Sequence, residues 1–202
     1  MNFNDDGYAA MLLTMALSPD REEYARPYST QEFWRIEAAV RKSELRRLSR
    51  LLNLDISGLM IYLKMSEEEG YRAYTLLHRN VQLSYALENM ERQGIEAVTC
   101  YDADYPPRLR RKLGEDAPPF FYRCGSAELL DKPAVAVVGI QGVRTDDRVR
   151  EALDCLVHNA VDAGYAIVTG GELGVSRVAA TLTGQYGGTL LVRAGSRLLC
   201  DQ

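Results

Sequence analysis

The stretch PAVAVVGIQGVRTDDRVREALDCLVHNAVDAGYAIVTGGELG, Pro133 to Gly174, reads as a strand, a glycine turn, a helix, a second strand and a second glycine turn. Ala134 to Val138 is a short apolar run, largely β-branched, of the kind that suits a parallel strand covered on both faces. Gly139 ends it. Thr145 can cap a helix carrying Asp146 and Asp147 in its first turn, and Val149, Leu153, Leu156, Val157 and Ala160 recur on one side until Gly164. Tyr165 to Val168 is the second strand, and Thr169-Gly170-Gly171-Glu172-Leu173-Gly174 the second turn. Right-handed crossovers put both glycine turns at the carboxyl edge of the sheet, where open α/β folds bind ligands.

Outward from this core, Val175 to Tyr186 reads as a helix, Gly187-Gly188 as a turn and Thr189 to Arg193 as a third strand. The expected fold class is α/β. It combines a reduced Rossmann-like parallel sheet of three core strands plus additions, one helix on either side, with an all-helical N-terminal domain. Such a sheet has an open edge, to be covered by residues 95–124, by the helical part or by a second copy in a homo-oligomer.

Residues 7–93 are almost wholly helical in pattern. Tyr8 to Leu17 is a short apolar helix, Ser29 and Glu32 form a capping box for a helix through about Lys42, and Ser43 to Asn53 is a basic amphipathic segment. Ile56 to Leu63 follows, and Ser66 with Glu69 caps a helical stretch, one helix or two, that Gly94 ends. From Ile95 the pattern turns to short strand-like pieces: Ile95 to Cys100, then a turn at Asp102 to Pro107, the basic piece RLRRKL and Phe120 to Cys124. This shift places the expected domain boundary at 1–90 and 91–202.

Composition narrows the function. A net charge of -4 and a pI near 5.3 argue against a broadly basic nucleic-acid binder, while a local basic strip remains compatible with them. Cys100, Cys124, Cys155 and Cys200 form no CxxC pair, and His78 and His158 are the only histidines, so neither a histidine-rich metal site nor a Ser-His-Asp triad is expected. No stretch approaches the roughly 18 to 20 apolar residues of a membrane span, and residues 1–20 do not read as a signal peptide. A cytoplasmic protein with reduced thiols, no membrane partner, no cofactor and no catalytic residues is the expectation.

The order Gln93-Gly94-Ile95, Tyr101-Asp102-Ala103-Asp104-Tyr105-Pro106, Pro118-Pro119-Phe120-Phe121-Tyr122-Arg123-Cys124-Gly125, Pro133 to Gly139, Ala163-Gly164 and Val168-Thr169-Gly170 with Gly174 resembles the DNA-processing protein A family (DprA, or Smf). The N-terminal helices resemble that family's helix-hairpin-helix or SAM-like domain. The resemblance implies an extended Rossmann fold that binds single-stranded DNA and helps to load a RecA-like recombinase during natural transformation. It also marks departures. Where the family pattern is Gly-Ser-Arg, this chain has Gly139, Ile140 and Gln141, and where it is Ser-Gly-x-Ala-Arg-Gly-Ile-Asp, this chain has Thr169 to Ser176 with Glu172 and Leu173, which implies weakened DNA affinity. The segment TGGELGVSR is similar to the nucleotide-binding turn of the related LOG and lysine-decarboxylase-like proteins, whose catalytic Pro-Gly-Gly-x-Gly-Thr segment has no counterpart here.

Two groups of residues are candidates for a nucleic-acid or phosphate site. Gly139, Gln141, Gly142, Gly170, Gly171 and Gly174, flanked by Arg144 and Arg177, can offer backbone N–H groups and helix N-termini to a phosphate. The alternative is that these glycines are simply tight strand-to-helix turns and the arginines solvated. The GxGxxG fingerprint and the ribose-binding acid of a dinucleotide site are missing. Arg108, Arg110, Arg111 and Lys112 form the densest basic cluster, with Tyr101 and Tyr105 near it for stacking; the alternative is a solvated face. Arg41, Lys42, Arg46, Arg47 and Arg50 read as solvated charges on amphipathic helices, and Asp102 and Asp104 as turn-formers. The function expected is a non-enzymatic, DprA-like DNA-processing protein; the alternatives are a nucleotide- or phosphate-binding sensor module and a scaffold without ligand.

Overall fold

A computed structural model describes residues 4–17, 25–139 and 146–193. The chain divides into two compact units, Met1–Gly125 and Ser126–Gln202. In the first, helices α1 (Asp5–Thr14), α2 (Thr30–Lys42), α3 (Ile56–Leu63), α4 (Glu67–Leu77) and α5 (Asn80–Arg92) precede strand β1 (Glu96–Thr99), helix α6 (Pro107–Leu113) and strand β2 (Phe120–Arg123). β1 and β2 pair antiparallel, Glu96 opposite Arg123 and Thr99 opposite Phe120. The expected boundary near residue 90 thus falls inside a unit. Ala97 of β1 and Phe120 of β2 pack with Met11 and Leu12 of α1 and Leu83 and Leu87 of α5, so the hairpin shares the helices' core.

Local rules set most helix ends. Ser29 and Glu32, and Ser66 and Glu69, form the two predicted capping boxes, each satisfying two otherwise orphaned backbone donors. The helical run after Ser66 is two helices. It breaks at His78 and Arg79, and the Arg79 guanidinium donates to the carbonyls of Leu12 (2.6 Å) and Met15 (3.0 Å), capping the end of α1. The segment after α2 is a tight turn and a 3-10 helix, Leu48–Asn53, rather than a continued α-helix. A second core gathers Phe33, Trp34 and Ile36 of α2, Leu59 of α3 and Leu76 of α4, each fully buried large side chain being worth about 1.5–3 kcal/mol.

In the second unit, β3 (Ala134–Val137), β4 (Ala166–Thr169) and β5 (Leu190–Val192) form one parallel sheet in that order, with α7 (Asp147–Asp162) and α8 (Val175–Gln185) as crossovers. Val135, Ile167 and Leu190 are in register, and with Val137 they pack against Leu153, Val157 and Val161 of α7 and Val178, Ala179 and Leu182 of α8. Both helices therefore lie on one face, not one on either side. The cause is topological: two right-handed crossovers that step in the same direction land on the same side. The strand predicted to be covered twice is covered once, and Ala134, Ala136 and Val138 of the opposite face are exposed. Asp146 supplies the cap of α7, its side chain accepting from the Val149 N–H at 2.9 Å.

Candidate nucleic-acid interface

The second unit brings Gly139, beyond the carboxyl end of β3, close to the start of α8, which follows the glycine turn at the carboxyl end of β4. Gly139 lies so close to the first residue of α8 that an added Cβ would stand 2.7 Å from the Val175 Cβ. Gly171 (φ 72°) and Gly174 (φ 95°) take left-handed conformations that glycine adopts without strain. The Gly171 N–H donates to Thr169 Oγ1 at 3.2 Å, closing a short turn after β4. Three of these glycines thus have a packing or backbone reason. Gly170 has neither: its φ is ordinary, and an added Cβ would meet nothing nearer than the Glu172 carboxyl at 3.6 Å.

Gly174 caps α8 without a side chain. The leading amides of this helix are donors for which an anion is a natural partner. Arg177, in the first turn, is exposed, as are Glu172 and Leu173, the latter 74%. The Glu172 carboxyl, though, is the group lying against Gly170. Gln141, Gly142, Arg144 and the expected cap Thr145 lie outside the described residues.

The basic cluster is on α6, in the first unit. The Arg110 guanidinium stacks on the Trp34 ring at 3.6 Å and also donates to the Gly114 carbonyl. Trp34 in turn donates its Nε1–H to the Ala117 carbonyl at 2.7 Å, and Gln31 donates to Asp116 at 3.0 Å. Arg110 therefore fastens α6 to α2. Arg108, Arg111 and Lys112 are exposed and make no ion pair among the described residues. The tyrosines expected to stack bases do not present free rings. Tyr105 is buried with its hydroxyl on the Pro118 carbonyl at 2.7 Å, and Tyr101 packs against the α2 core, burial pushing both phenols' pKa up, that of Tyr105 to about 12.

Asp102 is the turn-former expected of it, accepting from both the N–H and the Oγ1–H of Thr99 at 2.7 Å. Asp104 instead joins Glu96 in accepting from Arg123 Nη2, at 3.1 and 2.6 Å. The Arg123 Nε and Nη1 atoms are buried without a hydrogen-bond partner. A second feature missed in the sequence is a cleft of about 230 Å³ lined by Asp6, Glu37, Val40, Arg41, Arg46, Arg47, Leu48 and Tyr101. Its residues are spread over 95 positions, and helical periodicity alone does not bring them together. Among the described residues no His, Cys, Asp or Glu cluster could hold a metal ion, and no helix is long and apolar enough to cross a membrane.

A single-direction parallel sheet crossed by two helices makes the second unit Rossmann-like, and the first unit carries the cationic helix α6. Residues 96–198, half of the chain, match the family model of DNA recombination-mediator protein A, and the chain belongs to that family. Among curated proteins none matches. A solved structure of similar fold is the DNA processing protein A (DprA) of Streptococcus pneumoniae, with a TM-score of 0.64 and 16% identity over 96% of this chain and 58% of that one. The chain spans less than two thirds of that protein's length, and at this identity the likeness is one of fold.

Proposed function

We propose that this chain is a non-enzymatic, cytoplasmic DNA-processing protein. In this reading it binds single-stranded DNA weakly through Arg108, Arg111 and Lys112, with Arg177 and the amides of the glycine turns as lesser contacts, and passes the strand to a RecA-like recombinase. The observation that carries this reading is the exposed row of α6 cations without acidic partners, in a chain of a recombination-mediator family. Arg110 is excluded from the DNA contacts because Trp34 and Gly114 hold it. The nucleotide-sensor reading has in its favour the capless N-terminus of α8. Against it stand Val175, packed onto Gly139, and Glu172, packed onto Gly170.

Titration of a labelled oligothymidylate and of nucleoside monophosphates against the purified chain at two salt concentrations tests this. Oligothymidylate should bind and the nucleotides should not. Because each phosphate contact on a single strand adds about 0.7 to the slope of log affinity against log salt, Arg111→Ala with Lys112→Ala should flatten that slope by roughly 1.4. Glu172→Ala with Leu173→Arg should strengthen binding. An unchanged slope in the first variant, or nucleotide binding without DNA binding, would overturn the assignment.

A further inference from the structure

The α2 end of the first unit concentrates charge in a way the α6 reading does not use. Between residues 41 and 50 stand Arg41, Lys42, Arg46, Arg47 and Arg50, against Glu44 and the two buried carboxylates beneath them, Asp6 and Glu37. Each buried acid holds one arginine: Glu37 accepts from Arg41 Nε, and Asp6 accepts from Arg47 Nε at 3.2 Å and from the Ser49 N–H at 2.7 Å. Burial works against the charged form of Asp6, but the Ser49 and Arg47 contacts outweigh it and its pKa is lowered. The Arg41 and Arg47 side chains remain 67% and 58% exposed, so their outer N–H groups stay available while their inner ones fix them in place.

The third arginine of the cleft is the informative one. Arg46 has φ 62°, a left-handed conformation that costs a side-chain-bearing residue relative to glycine. Lys64, the other non-glycine with positive φ among the described residues, has a plain reason, since it closes α3 with its N–H on the Met60 carbonyl. Arg46 comes three residues after the α2 cap and, unlike that of Lys64, its backbone closes no helix; only its side chain reaches back, to a carbonyl of the last α2 turn. Its one described hydrogen bond, Nη1 to the Arg41 carbonyl at 3.2 Å, is exposed. An arginine is therefore kept where glycine would be easier, and the turn sets it beside Arg41 and Arg47 on one cleft. Backbone strain retained at a cleft of convergent cations points to a ligand.

We propose that the cleft of Arg41, Arg46 and Arg47, flanked by Lys42 and Arg50, is a second nucleic-acid contact, taking a backbone phosphodiester on the first unit independently of α6. This extends the DNA reading to a second surface and rests on it. Planar guanidinium forks match phosphate oxygens bidentately, and a row of cations along one turn suits a repeating anion.

The test uses the full chain, amide NMR mapping and two probes, oligothymidylate and inorganic pyrophosphate, with Arg46→Gly as the variant. Oligothymidylate should shift the amides of residues 43–50, and Arg46→Gly should lower the salt slope by about 0.7 while leaving the melting temperature unchanged or raised. That combination is the opposite of what a structural arginine gives. Shifts confined to α6 or to the second unit would overturn this inference and leave the DNA reading standing, whereas no shifts anywhere would remove both. Pyrophosphate shifting residues 43–50 where oligothymidylate does not would identify a free-phosphate site and overturn the nucleic-acid assignment. A lowered melting temperature of Arg46→Gly with an unchanged slope would make Arg46 structural.

Discussion

Gly139 and Gly170 end neighbouring strands of the same sheet, yet the structure assigns them opposite tolerance to a methyl group. At Gly139 an alanine Cβ would sit 2.7 Å from the Val175 Cβ and 3.0 and 3.2 Å from its two methyls. Carbon pairs are comfortable at about 3.5–4.0 Å, so α8 would have to withdraw by close to 1 Å from β3. The Val175 Cβ is fixed to the helix backbone, and no rotamer change relieves the contact. Overpacking of this kind costs about 1–3 kcal/mol, against about 0.4–1 kcal/mol returned by the stiffer unfolded chain. Because nothing relieves the contact, the upper part of that range applies, and the net loss of about 1–2.6 kcal/mol corresponds to a fall of roughly 2–10 °C in a chain of this size. At Gly170 the nearest atoms are 3.6–3.8 Å from the added Cβ and φ is ordinary, so Gly170→Ala should lie within about 0.5 kcal/mol of the parent. Thermal and urea unfolding of the two variants, read side by side, decide the matter. Equal stability of Gly139→Ala and the parent, or a larger loss at Gly170 than at Gly139, would refute the packing argument.

Two further outcomes are expected. Gly7, in the first turns of α1, would set a Cβ 2.5 Å from Thr99 Oγ1, which Asp102 holds, so Gly7→Ala should destabilise by about 1–3 kcal/mol in chemical denaturation although the same change in an open helix stabilises; a raised midpoint would count against it. Glu32 accepts from Arg72 at 2.9 Å and from Ser29, and these contacts, Arg72 foremost, hold its carboxyl down to about 2. A carboxylate with a depressed folded-state pKa stabilises above its ordinary value near 4.5 and loses that contribution as pH falls towards 2. Glu32→Gln should thus melt below the parent at neutral pH and converge on it across that window, and a gap that is constant with pH would exclude the linkage.

How far the sequence discloses this molecule depends on the range of the interactions involved. Ser29, Glu32, Ser66 and Glu69 act within four residues, and their capping boxes are legible as written. The parallel order of β3, β4 and β5 follows from apolar runs joined by an amphipathic helix, which is also near-range information. The placement of both helices on one face does not: it depends on which neighbour each strand chooses, and the apolar runs look alike for either choice. Trp34 gives no sign in the sequence that its ring will hold Arg110, 76 positions on, because the contact exists only once α6 docks on α2. The basic run of α6 was therefore visible as charge, while its division into one anchoring and three free cations was not. Arg46 reads as one more solvated arginine, since a positive φ at a non-glycine residue has no compositional signature.

The sheet order also decides what the glycine turns can do. Ligand crevices of open α/β sheets form where adjacent strands send their loops to opposite faces. In β3, β4 and β5 both crossovers go to the same face, and the described ends of the two turns are drawn together, Val175 against Gly139. An anion approaching the start of α8 then meets the Glu172 carboxyl. A phosphate about 6 Å from that carboxylate would experience a repulsion of about 0.7 kcal/mol at a water-like dielectric and about 2.8 kcal/mol at an effective value of 20. The helix terminus returns about 0.3–1 kcal/mol. At the effective value of 20 the carboxylate prevails, and at the water-like value the two terms roughly cancel, so without compensation from an arginine such as Arg177 the turns add little, a polyanion must draw most of its affinity from cations outside them, and removing the Glu172 charge is the change that would restore the edge to use.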